Sequence, residues 1–129
     1  MTASTERRRF DRFELPVMYT KIAIRRLDSD TFEWEGHAYD ISRGGVRFEL
    51  DRGFEPGTPV AMRIDLPRAT IERSTERRSV YVFANVVWLE NDDQTGPIRM
   101  AAVFTRFCRT GDEETLLKRI NSGRYSLAA

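Results

Sequence analysis

Tyr39-Asp40-Ile41-Ser42-Arg43-Gly44-Gly45-Val46 joins two runs of alternating apolar residues, 32–41 and 46–50, and its reading decides the fold. Both runs read as strands, and the polar, glycine-bearing stretch between them reads as a tight reversal. Gly44 and Gly45 can take positive φ without steric cost, as a sharp reversal often requires. Asp40 and Ser42 stand two residues apart, so an extended chain sends both to one side of the sheet. A carboxylate and a hydroxyl are therefore expected side by side at a rim.

The same alternation extends in both directions. Upstream, 17–26 sets Met18, Ile22 and Ile24 against Tyr19, Lys21 and Arg25, with Pro16 marking the entry to the domain. Within 32–41, Phe32, Trp34 and Ala38 oppose Glu33, Glu35 and His37, with Gly36 as the expected bulge. Val46, Phe48 and Leu50 oppose Arg47 and Glu49. Downstream, 60–66 turns Val60, Met62, Ile64 and Leu66 inward. The most apolar run, 80–89, carries Val80, Val82, Ala84, Val86 and Trp88 on one face and Tyr81, Phe83, Val87 and Leu89 on the other. That pattern predicts a strand covered on both sides. A last strand is expected over 98–104. Asp28-Ser29-Asp30, Glu55-Pro56-Gly57-Thr58 and 91–97 supply turns, and 67–78 reads as an exposed loop.

From Gly111 the period changes. Thr110 or Asp112 can cap a helix over 112–122, with Glu113 and Glu114 in its first turn and Leu116, Leu117 and Ile120 as its apolar stripe. Gly123 is the expected stop. Six short strands and one terminal helix predict a mainly β fold, a small six-stranded antiparallel Greek-key β-barrel with one C-terminal α-helix. Residues 1–14 show neither period and are expected to be a flexible arm, leaving 15–129 as the barrel and its helix.

A chain of 129 residues can bury a core without staples, and a formal net charge of +1 supplies no global field toward nucleic acid or acidic lipid. All of the 21 basic residues except Lys21 and Lys118 are arginine. A base-composition bias accounts for the total, but not for the cluster over 7–12. Cys108 is the only cysteine, which excludes an internal disulfide and suits a reducing cytoplasm; it reads as a half-buried small hydrophobe. No apolar core follows the first charges, so no signal peptide is expected, and no run approaches the ~20 apolar residues of a membrane span. The expectation is a soluble, cytoplasmic chain.

His37 is the only histidine, so this chain cannot build a histidine triad or a multi-histidine metal site. Asp92-Asp93 reads as a solvated turn and Glu113-Glu114 as a helix start. No catalytic constellation, metal site or cofactor loop emerges, and a binding module is expected rather than an enzyme. The run Glu6-Arg7-Arg8-Arg9-Phe10-Asp11-Arg12 admits three readings. It is a solvated tail, a small nucleic-acid arm, or a clamp whose guanidiniums fork to phosphates and to the O6/N7 edge of guanine.

Together, the two stretches resemble the PilZ domain family of bacterial cyclic di-GMP receptors. That family carries Arg-Arg-x-x-x-Arg before the barrel and Asp/Asn-x-Ser-x-x-Gly between early strands. Arg7, Arg8 and Arg12 match the first motif, and Asp40, Ser42 and Gly45 the second. The 86–88 run, the 102–104 strand and the final helix also look like the family's later elements. The resemblance implies a cyclic di-GMP receptor with no cofactor. Arg8 and Arg12 would hold phosphates and guanine edges, Arg7 and Arg9 would assist, and Arg43 would lie within reach of a phosphate, a solvated side chain being its other and favoured reading. Asp40 would accept from guanine N1–H and N2–H2, Ser42 would hydrogen-bond nearby, and Gly45 would shape the turn. Trp88 matches a tryptophan that lies against guanine in some members; core packing beside Val86 is its other reading. The resemblance further implies an arm that orders on ligand binding and signals to an unidentified protein partner, with no nucleic acid and no membrane insertion. The alternatives are a ligand-independent adaptor and a basic-arm nucleic-acid binder.

Overall fold

Antiparallel strands hold most of the described residues outside the final helix. The computed structural model describes residues 11–15, 20–66, 79–90 and 96–121. Arg7, Arg8, Arg9, Pro16, Met18, Tyr19, the 67–78 loop, Asp92-Asp93 and Gly123 lie outside the described residues. The strands are β1 (Phe13–Glu14), β2 (Lys21–Arg26), β3 (Trp34–Ile41), β4 (Gly45–Leu50), β5 (Pro59–Asp65), β6 (Ser79–Leu89) and β7 (Ile98–Phe107), and the helix is α1 (Asp112–Ile120). Strands β2 to β7 close a six-stranded antiparallel barrel in the order β2-β3-β4-β7-β6-β5, with β5 returning beside β2. That return is the Greek-key connection. The two-residue β1 continues the β3 edge where β2 leaves it, pairing Phe13 with Ile41 and Glu14 with Asp40.

The alternation read from sequence fills the barrel. Ile22, Ile24, Phe48, Ile64, Val82 and Met100 are all enclosed, each contributing about 1.5–3 kcal/mol through burial. At one end the 51–58 connection folds over the opening, where Phe54 stacks edge-on to Trp34 with centroids 5.2 Å apart. At the other end stand the 42–45 turn and α1, whose Leu116 and Ile120 join the core. Among the described residues, no helix is long and apolar enough to cross a membrane.

Four expectations need correction. Gly36 pairs regularly with Ile22, and the bulge in β3 falls between Ala38 and Asp40 instead. The two-sided coverage expected of β6 already fails at Asn85, which is exposed, and around a bulge between Val86 and Trp88, Val86 stays enclosed while Val87 and Trp88 emerge at 52% and 46% exposure. The helix cap is Gly111, in the left-handed region at φ 91°, where a side chain would be strained; Asp112 begins the helix as a buried residue. Cys108, expected half-buried, is exposed. What remains of its burial is still the largest influence on its thiol and pushes the pKa up.

Candidate functional site

The bulge at Tyr39 sets the geometry of the rim. Strict alternation would turn Asp40 inward with Ala38. The extra residue restarts the pleat, so Ile41 faces Val46 in the core while Asp40 faces Arg47 across the outer surface. Asp40 is nonetheless well covered, at 7% exposure. The Nε of Arg47 lies 3.9 Å from its Oδ2, an ion pair longer than a hydrogen bond. Tyr39, beside the bulge, lies under the Arg99 guanidinium at 5.2 Å. Burial pushes the Tyr39 phenol above its ordinary pKa; Asp40 adds to the rise, and Arg99 and Arg47 oppose it.

Ser42 closes the turn on itself. Its Oγ accepts from the N–H groups of Gly44 and Gly45 at 3.1 and 3.2 Å, and its own N–H donates to the Gly45 carbonyl at 2.9 Å. Neither Gly44 nor Gly45 has positive φ, so the turn does not use the freedom expected of them. Gly45 is required for a different reason: a Cβ there would stand 2.5 Å from the Ala102 carbonyl oxygen of β7. Phe104 N–H donates to the Gly44 carbonyl at 2.8 Å and fixes the turn to the same strand. Arg43 pairs with Glu113 of α1 at 3.6 Å, both half-exposed, rather than extending into solvent. An open depression of about 720 Å³ lies beside that pair, floored by Phe104 and Phe107.

The arm enters at the same place. The Leu15 N–H donates to the Tyr39 carbonyl at 3.0 Å, and Glu14 sits opposite Asp40. Arg12 immediately precedes the Phe13–Ile41 pair, and its Nη1 atom is buried. The sequence leaves residues 13–14 in the arm, whereas the structure pairs them into the sheet.

Pairing then continues across the outer surface in a single row. Asp40 is opposite Arg47, Arg47 opposite Ala101, and Ala101 opposite Trp88. Three strand steps of about 4.8 Å separate the acid from the indole, roughly 14 Å. The structure thus brings Asp40, Ser42, Gly45 and Trp88 onto one side of the barrel, with Arg12 next to the strand that pairs beside Asp40, and leaves Arg43 at the helix. Arg47, Tyr39 and Arg99 belong to this surface and were not among the residues singled out from sequence; the outward parity of Arg47 within 46–50 was the one available signal. An acceptor edge, arginines and an aromatic face in a row suit a planar anionic ligand that presents paired N–H donors.

The family model described as the PilZ domain matches residues 6–121. Among solved structures, the chain resembles the inhibitor of motility MotI/DgrA of Bacillus subtilis (22% identity, TM-score 0.65), covering 91% of this chain and 53% of that one. It also resembles the PilZ domain of YcgR from Escherichia coli with c-di-GMP (18%, 0.61), covering 90% of each chain. A third likeness is to the MrkH–c-di-GMP complex of K. pneumonia (15%, 0.64), covering 89% of this chain and 50% of that one. At these identities the likeness is one of fold, and the chain spans about half the length of the MotI and MrkH chains. No curated protein matches the chain.

Proposed function

The chain belongs to the PilZ domain family, and from that premise we propose that it is a cyclic di-GMP receptor whose Arg-rich arm closes over the outer face of the barrel. The observation that carries the reading is the pairing of Glu14 with Asp40, which roots the arm beside the motif carboxylate. The YcgR and MrkH structures with c-di-GMP support the ligand class.

In this reading Asp40 accepts from N1–H and N2–H2 of a guanine, a donor pair that adenine lacks. Ser42, its Oγ already accepting from two backbone N–H groups, keeps its hydroxyl proton for the ligand. Gly45 lets β4 and β7 approach. Arg8 and Arg12 fork to phosphates and to O6/N7, with Arg7 and Arg9 assisting and Arg43 reaching over if its pairing to Glu113 opens. Trp88 offers its exposed ring to a second base. The chemistry is that of a binding module, with no bond made or broken and no cofactor used. Ordering the arm costs about 1–2 kcal/mol per residue in backbone entropy; charge-assisted hydrogen bonds at about 1.5–3 kcal/mol each offset it. The ordered arm is the new surface read by a downstream protein.

Titration calorimetry with cyclic di-GMP, GTP and cyclic di-AMP tests the reading. Cyclic di-GMP alone should bind tightly. Arg8→Ala and Arg12→Ala should each weaken it about tenfold or more, on the order of 1.4 kcal/mol. Asp40→Ala should also blunt discrimination against cyclic di-AMP. Equal affinity for all three ligands would sink the proposal.

A further inference from the structure

Between the acid and the indole stands a residue that neither motif contains. Arg47 is opposite Asp40 on one side and Ala101 on the other, and Ala101 is in turn opposite Trp88. The Arg47 side chain is 43% exposed, and its 3.9 Å approach to Asp40 leaves it short of a hydrogen bond. Ala101 has only a methyl group, so no side chain in the row stands between the guanidinium and the indole. The nearby charges divide. Arg99 lies over Tyr39, Glu49 is opposite Arg99 one row away, and Glu14 is beyond Asp40.

A ligand with one base edge on Asp40 and another base on Trp88 crosses about 14 Å of sheet, and its linking phosphates then pass over Arg47 and Ala101. A planar guanidinium there has a phosphate within reach on one side and a carboxylate on the other. We propose that Arg47 is a direct ligand of the phosphodiester of a bound cyclic dinucleotide, turning from Asp40 toward it on loading. The proposal rests on the cyclic di-GMP reading above.

Its test is calorimetry with cyclic di-GMP on the unmodified chain, Arg47→Ala and Arg47→Lys, at low and high salt. A lost phosphate contact should weaken Arg47→Ala about tenfold at ~50 mM salt and by clearly less at ~500 mM, where exposed charges are screened. Arg47→Lys keeps the charge without the fork and should recover part of the loss. Unaltered affinity in Arg47→Ala overturns the proposal. So does a deficit equal at both salt concentrations, which is the signature of an arginine that only orients Asp40. An unmodified chain that binds no cyclic di-GMP removes the underlying reading instead, and the wild-type titration separates that failure from the others.

Discussion

At the foot of the helix, Asp112 is fully enclosed and accepts from the Tyr81 N–H at 2.9 Å and from Arg109 Nε and Nη2 at 2.9 and 3.1 Å. Asp40, on the outer surface of the same end of the barrel, is almost as covered, yet its arginine stands 3.9 Å away. Arg109 is also committed. It donates to the Ser79 carbonyl at 2.7 Å, lies 4.2 Å over the Tyr81 ring, and is held more firmly protonated by its bond to Asp112. Among the described residues, Arg47 has no comparable web. Both corners pair an acid with an arginine, but the first ties β6 to α1, and the second leaves its guanidinium half-exposed. The difference separates an acid–arginine pair built into the fold from one whose guanidinium is left half-exposed at the surface.

Substitutions should pull the two corners apart. Asp112→Ala strips the partner from a backbone N–H and from a guanidinium, and should lower unfolding free energy by about 2–3 kcal/mol in urea titration, with cyclic di-GMP affinity of the folded chain retained. Asp40→Ala should do the reverse, costing about tenfold or more in affinity while stability moves by less than ~1 kcal/mol. Equal destabilisation by both would erase the distinction. Trp88→Ala should give the smallest effect, about a fivefold loss of affinity from lost stacking and almost none in stability. Trp34 is wedged against Phe54 at the far end of the barrel, so quenching by ligand in Trp88→Ala would mean that the indole contact is misassigned.

Much of this was legible in the chain. Period-2 runs placed the six barrel strands because one face of each is buried, and a change of period at Gly111 placed the helix. The Asp40-Ser42-Gly45 spacing marked the candidate site as a local pattern, while Arg7, Arg8 and Arg9 lie outside the described residues. What escaped was set by single extra residues. Bulges at Tyr39 and Val87 invert the parity that follows them, carrying Asp40 and Trp88 to the outer face against a strict alternation. A bulge is decided by how two strands close the barrel, and neither residue type signals it. Gly45 likewise serves a close approach to Ala102, a neighbour 57 positions away in sequence. Arg47 became visible only when the register set it between Asp40 and Ala101.

Amide hydrogen exchange with and without cyclic di-GMP is the measurement that addresses both corners at once. Ligand should slow exchange across the arm, the Asp40–Gly45 turn and the β6–β7 segment around Trp88, and leave the N–H groups of Tyr81 and of α1 unchanged. Protection confined to the helix corner, with the arm and the Asp40 turn exchanging as before, would contradict the account.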